Sequence, residues 1–478
     1  MTAGIRPGQP PTLIQGGMGV AVSSWQLARR VSTLGHLGVV SGTALDVVLA
    51  RRLQQGDLDG SLRRALAAFP DRAVADGVLE RFFVPGGKPE GSPFKSVAMF
   101  AAQPARRLQS LATVAGFAEV FLARENHEGL VGINFLEKVQ LPTPAILYGA
   151  LLAGVDYLLV GAGIPRDFPD LLDRLTRHEA VRLPLHVTGA LPTDDFAARF
   201  DPARVLPVHR LAPLRRPQFL AIVASATLAA SLARHGGRVD GFVVEDPTAG
   251  GHNAPPRGPL KLNDTGEPVY GARDAVDLAR MRELGLPFWL AGTRATPAGI
   301  ADARAQGAAG IQVGTLFAFC DESGIDPGLR DRVLAGVRAG TAQVVTDPLA
   351  SPTRFPFKVV QVDGTLSDPH RYAGRARRCD LGYLRELYRR EDGTIGYRCA
   401  AEPIADYLRK GGDQADTVGR KCVCNGLLGT IGLGQLRPDG VEPAIVTAGA
   451  GLREIAALLG GRVSYSAADV IAYLTTQS

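Results

Sequence analysis

Nowhere does this chain offer an apolar run long enough to cross a bilayer. The nearest, residues 219–233, is short and interrupted by Ser and Thr. It reads as a buried helix, which argues against a membrane-spanning protein. The opening MTAGIRPGQPPTLIQGG lacks a charged patch followed by an apolar core, so no secretory leader is expected. Cysteine is scarce, five in 478 residues and unevenly placed. With no export signal, that points to reduced thiols in a cytoplasmic protein. Basic helices and aromatic–basic ladders are missing too, and the net charge of +6 is mild for this length. Nucleic acid is therefore set aside as a partner, while a weak preference for anionic ligands remains.

What is plentiful is apolar material, 46% of residues against 21% charged. That is enough for a large core and more than one domain. The most informative stretches are VVEDPTAGGH at 243–252, PFWLAGT at 287–293 and GIQVGTLF at 310–317. Apolar strands that stop at Gly/Thr turns, spaced by one helix, are the pattern of a parallel β/α barrel. Eight such strands are expected, at 12–15, 37–41, 131–136, 157–161, 185–188, 241–245, 288–291 and 311–314. Helical patterns lie between them at 25–33, 144–153, 168–178, 217–235, 272–284 and 297–306, several with Pro in the first turn and Gly just past the end. The fold class is α/β, a TIM (β/α)8 barrel; an open doubly wound sheet is the alternative. A long insertion, 42–130, separates strands two and three. The polar Pro/Gly loop 253–270 follows His252 directly and is expected to act as a lid. From 338 the β/α pattern ends. The barrel is assigned to 1–337, and 338–478 to a largely helical extension packing on it.

In this fold the C-terminal strand ends carry the chemistry. Gly292-Thr293 and Gly314-Thr315 end strands seven and eight, and their amides and hydroxyls, each before a helix start, suit a phosphate. Gly16-Gly17-Met18 ends strand one. Glycines let a flat ring lie on the backbone, and Met gives a polarizable contact. Asn134 sits inside an apolar strand and needs partners, which flavin ring atoms or a neighbouring loop would supply. His252, after Gly250-Gly251, is the acid/base or substrate-contacting candidate. Glu245 and Asp246 hold its ring, bond a ribityl hydroxyl or cap a turn. His186 is a second histidine candidate. Cys379, Cys399, Cys422 and Cys424 cluster in the extension. The absence of Cys-x-x-Cys pairs favours small apolar packing over a common metal, and no metal ligand is assigned.

Taken together, LIQGGMG at 13–19, GIN at 132–134, GAG at 161–163, AGGH at 249–252, LAGT at 290–293 and GIQVGTLF at 310–317 resemble the nitronate monooxygenase (2-nitropropane dioxygenase-like) family. FMN-dependent enoyl-acyl-carrier-protein reductases share its barrel. The resemblance covers about residues 10–350. It implies non-covalent FMN, with phosphate contacts at Gly292, Thr293, Gly314 and Thr315. Ring contacts fall at Gly16, Gly17, Met18 and Asn134. Gly250, Gly251 and Gln312 join the cofactor set, and His252 takes the family's catalytic position. Two positions depart from the family: Thr248 stands where Glu is usual four residues before this His, and Gly292-Thr293 replaces a Gly-Gly. The long extension departs as well. The implied activity is oxidation of alkyl nitronates with O2 to a carbonyl compound and nitrite. The alternatives are an FMN- and NAD(P)H-dependent enoyl-thioester reductase of fatty-acid or polyketide synthesis, a flavin-binding accessory protein docking an acyl carrier protein through the run 371–378, and a flavin-free barrel lyase or isomerase. A homodimer is left open.

Overall fold

Short apolar runs become strands where both faces are covered, and eight do so here. The computed structural model, which describes residues 10–476, closes them into one parallel barrel. In chain order they are β1 (Leu13–Gln15), β2 (Leu37–Ser41), β3 (Val131–Leu136), β4 (Tyr157–Gly161), β5 (Gln218–Val223), β6 (Gly241–Glu245), β7 (Phe288–Ala291) and β8 (Gly310–Val313). Each pairs with its neighbour in sequence, and β1 closes on β8 with Leu13 opposite Ile311. Closure removes the open-sheet alternative. The leader reading rests partly on residues 1–9, which lie outside the described residues. Among the described residues no helix is long and apolar enough to cross a membrane.

Strand alternation sorts the apolar residues into two layers. Ile14, Leu37, Val39, Leu159, Leu220, Val243 and Trp289 fill the barrel interior. Phe242, Val244, Phe288 and Leu290 from the same strands face outward into the larger core under the helices. The Trp289 indole N–H donates to the Pro11 carbonyl at 2.6 Å, so its one polar atom is paired.

The fifth strand differs from the sequence expectation. It is Gln218–Val223, inside the stretch read as the helix 217–235; only Ala226–His235 is helical, capped by Ser225. QFLAIV is a continuous apolar run, and such a run fits a strand covered on both faces or a buried helix equally well. The residues 185–188 instead belong to an insertion between β4 and β5. There Val187–Thr188 pairs with the strand Glu386–Arg389 far along the chain. The expected helix 272–284 is a turn of 3-10 helix, Ala272–Asp274, followed by Leu278–Glu283.

The insertion between β2 and β3 is four helices ending in Arg106–Arg124, which packs on Thr143–Leu152. Glycines set that contact. A Cβ on Gly116 would overlap the Ile146 carbonyl oxygen, and one on Gly149 the Thr113 carbonyl oxygen. The extension mixes short helices with two-stranded antiparallel pairs, Val344–Asp347 with Phe357–Val360 among them. Its last helix, Ala467–Thr475, packs against Trp25–Thr33, Gly299–Ala305 and Thr315–Ala318. It thus fills the gap between the helix after β7 and the helix after β1, where the eighth barrel helix belongs.

Candidate active site at the barrel mouth

Strand ends β1, β3, β6, β7 and β8 open onto one cavity of about 200 Å³. At β1, the buried Gln15 amide donates to the Gly16 and Val39 carbonyls and to the Ser23 hydroxyl, which fixes the glycine turn. Gly16 and Gly17 then lie against two polar side chains. A Cβ on Gly17 would overlap Asn134, and one on Gly16 would press on Gln312. Asn134 lines the cavity and donates to the Phe135 and Leu159 carbonyls, both at 3.1 Å. Gln312 Oε1 is buried with no hydrogen-bond partner. A buried acceptor without a donor calls for a ligand N–H or O–H.

Anion-binding capacity sits at the turns that follow β6 and β8. The backbone N–H groups of Gly250, Gly314 and Thr315 make no hydrogen bond with another protein group among the described residues. A side chain at Gly251 would meet nothing within 4 Å, and one at Gly314 only the Met18 side chain. No Lys or Arg lines the cavity, so a phosphate there would be held by amides and hydroxyls alone. The following helix is a single turn, Thr315–Ala318, so donors rather than a long helix dipole make this site. Thr293 differs from the other candidates. It is exposed, outside the cavity lining, and its amide donates to the Thr248 hydroxyl at 3.0 Å.

His252 lines the cavity and is pinned by the extension. Its backbone bridges Phe357, and the Phe357 ring meets the imidazole at 4.8 Å between centroids. Nε2 lies 2.7 Å from the Ser351 hydroxyl, itself 2.8 Å from that of Thr353. Burial, reinforced by the Lys138 ammonium, pushes the imidazole down to about 3. It is neutral throughout the physiological range. The carboxyl of Glu245, at the end of β6, also faces the cavity. Burial pushes it up to about 7 against the pull of Lys358, so it can give or take a proton near neutrality. Asp246 caps its own turn by accepting from the Thr248 amide and hydroxyl. His186 lies outside the cavity, mostly exposed, with Nε2 2.8 Å from Glu137, whose carboxylate raises it.

The roof was not foreseen. The loop 253–270, expected as a lid, is mostly exposed, with Asn253 and Pro268 buried, and contributes nothing to the cavity lining. The extension covers the mouth instead, with Tyr383, Leu384, Val423, Cys424 and Leu427. The Tyr383 hydroxyl donates to buried Asp46 at 2.7 Å. The loop 447–451 ties into the strand-end turns: Gly251 donates to the Thr447 hydroxyl and Gly449 to that of Thr315. The Gly-rich composition of that segment was the available signal. The arginines of 371–378 are engaged within the extension: Arg375 with Glu442, Arg377 with the Ala400 and Thr417 carbonyls, Arg378 with Asp439.

Residues 200–351, which supply β5 to β8 and His252, match the family model described as nitronate monooxygenase. With the closed barrel, that match over about a third of the chain supports an oxidoreductase of the FMN type. Among solved structures, the nitroalkane oxidase of Streptomyces ansochromogenes is 16% identical, with 98% of this chain and 95% of that one covered at a TM-score of 0.46. FabK of Thermotoga maritima is 15% identical, covering 97% and 91% at 0.45. The enoyl reductase domain of MlnA from the macrolactin biosynthesis cluster of Bacillus amyloliquefaciens is 11% identical, covering 98% and 96% at 0.46. Likenesses this distant carry no assignment of substrate. No curated protein sequence matches the chain.

Proposed function

We propose that the barrel-mouth cavity binds FMN and that the protein oxidises alkyl nitronates with O2. Two nitronates and one O2 balance to two carbonyl compounds and two nitrites. The observation that carries this reading is the nitronate monooxygenase match over 200–351, the segment that brings His252 to the cavity wall. The cavity chemistry fits the cofactor: an unpaired buried acceptor at Gln312 and unpaired amides at Gly250, Gly314 and Thr315. Bound there, FMN would supply the redox chemistry. Gly16, Gly17, Met18 and Asn134 would border the ring, Gln312 would accept from it, and Gly251 and Gly292 would complete the backbone around the phosphate, with the expected contact at Thr293 set aside because its amide is engaged by Thr248 outside the cavity. Neutral His252, held by Ser351, would orient the nitronate rather than deprotonate it, which suits a substrate that is already an anion. Free cysteines throughout agree with a reducing compartment such as the cytoplasm.

Purified protein should be yellow and release FMN on denaturation; a protein without flavin after reconstitution would remove the reading. Gly314→Ala should keep FMN, because a methyl there meets only Met18 at 3.5 Å or more. Gly314→Asp should lose it, since a carboxylate beside a phosphate repels it. Anaerobic mixing then decides the substrate. Bleaching by a nitronate supports the proposal, whereas bleaching only by NADPH with turnover of an enoyl thioester makes the protein a reductase.

A further inference from the structure

Past residue 351, where the nitronate monooxygenase match ends, the chain supplies a wall of the barrel-mouth cavity: Phe357, Tyr383, Leu384, Val423, Cys424 and Leu427. Phe357, Leu384, Val423 and Leu427 belong to one apolar cluster, distinct from the main core, which extends to Val20 after β1 and Val139 after β3. The roof rests on the strand-end turns themselves: a Cβ on Gly19 would lie 3.8 Å from Leu427 Cδ2. It also reaches the candidate reaction centre, since the Phe357 ring packs against the His252 imidazole.

Polar capacity divides this cavity in two. On the cofactor side polar atoms are unpaired, Gln312 Oε1 and the amides of Gly250, Gly314 and Thr315. On the extension's side they are committed. The Tyr383 hydroxyl donates to Asp46, the Thr430 hydroxyl is taken up by the Gly426 and Ile445 carbonyls, and the Thr447 hydroxyl receives the Gly251 amide. A ligand reaching this wall therefore meets apolar contact and few open hydrogen-bonding groups. Charge points the same way. Among the described residues the lining has no Lys or Arg, and Glu245 is its one carboxyl. A substrate with one anionic end has His252 to orient it. A second anionic group would lose its water with no cation to meet it, and would share the cavity with Glu245.

We propose that the extension builds an apolar chain subsite beside His252, with Leu384, Val423 and Leu427 as its specificity-determining residues. The protein then takes nitronates that carry an uncharged chain of several carbons and rejects those that carry a second anionic group. This rests on the reading that the cavity oxidises nitronates, and it adds which ones. It also divides the work along the chain: the barrel and its strand-end turns hold the cofactor and the reacting end, and residues beyond the family match select the substrate's tail.

The test mixes the full-length, FMN-loaded protein anaerobically with the nitronates of nitroethane, primary nitropropane and primary nitrobutane, and of a nitrobutanoate with its carboxylate at the far end. The second-order rate constant for flavin bleaching is the readout. Each added methylene should raise it about threefold to fourfold, as burial of one CH2 in an apolar pocket does. The carboxylate-bearing nitronate should be at least about tenfold slower than that of nitrobutane. Leu427→Ala should flatten the chain series, and Leu384→Arg should narrow the gap between the carboxylate and the alkyl chain. Both effects are ratios within one variant, so a lower content of folded or flavin-loaded protein does not imitate them. Where a variant fails to fold, the wild-type series decides. Equal rate constants along the series, or a faster carboxylate-bearing nitronate, overturn the subsite. Loss of FMN in the variants with the chain series unchanged places the roof against the cofactor and overturns it too. Failure of the underlying reading looks different: the protein holds FMN, and none of the nitronates bleaches it.

Discussion

At the scale of single residues, His252 shows how environment redirects a motif. Its position after two glycines at a strand end suits an acid/base group. Its surroundings make it a neutral hydrogen-bonding one, since burial holds it near 3 and Ser351 fixes the ring at 2.7 Å. The sign of the linkage follows. A folded value below the unfolded one, near 6.5, contributes stability that is present above pH 6.5 and lost as pH falls toward about 3. His252→Ala should retain FMN and lower kcat/KM for a nitronate by about tenfold to a hundredfold, with no loss of a kinetic ionisation near 6.5. Glu245, pushed up to about 7, owns the ionisation expected near neutrality, and Glu245→Gln should abolish it. A step near 6.5 that vanishes only in His252→Ala would restore the acid/base role. Both residues were legible in the sequence as strand-end polar groups. Their protonation was not, because it depends on burial in the folded chain and on Lys138 and Lys358, each more than 100 positions from the group it acts on.

Elements were legible where a strand and the following helix differ in pattern. β2, β3, β4, β6 and β7 match their expected limits because each apolar run stops at a Gly, Ser, Thr or acidic turn. β5 was hidden because QFLAIV runs into ATLAASLARH with only Ser225 between, and burial on both sides erases the period. The cavity roof was hidden for a different reason: Tyr383, Cys424 and Thr447 reach the mouth through long-range packing, which leaves no local periodic trace. Helix–helix contacts give a direct test at this scale. Gly149→Ala should cost about 1–3 kcal/mol in chemical denaturation, because its methyl overlaps the Thr113 carbonyl and the helices Arg106–Arg124 and Thr143–Leu152 must separate. Gly77→Ala, in the helix Arg72–Phe82 with nothing within 4 Å, should instead stabilise by about 0.5–1 kcal/mol. Equal effects at the two sites would mean that the glycine contact does not set the helix spacing.

For the whole molecule, the extension behaves as part of the barrel. Ile455, Leu458, Leu459, Tyr465, Val470 and Leu474 belong to the same apolar cluster as the outward faces of the strands. The Tyr465 hydroxyl donates to the Leu316 carbonyl at 2.7 Å, and the Ala467 amide to Glu322 at 2.8 Å. The helix Ala467–Thr475 closes the helical ring beside Trp25–Thr33. Burying each of these large side chains contributes about 1.5–3 kcal/mol. Six of them together match or exceed the net stability of about 5–15 kcal/mol usual for a folded domain. A chain ending at residue 338 would also bare the partner surfaces on the first and last barrel helices and unroof the mouth. We expect that truncation to be insoluble or to unfold without cooperativity, and to retain no flavin. A soluble, yellow fragment 1–338 with one sharp thermal transition would instead make the barrel an independent unit and the extension an appendage. Supplying residues 339–478 in trans separates lost packing from lost chemistry: recovery of a cooperative transition before any recovery of turnover would show that the extension acts first as core and only then as roof.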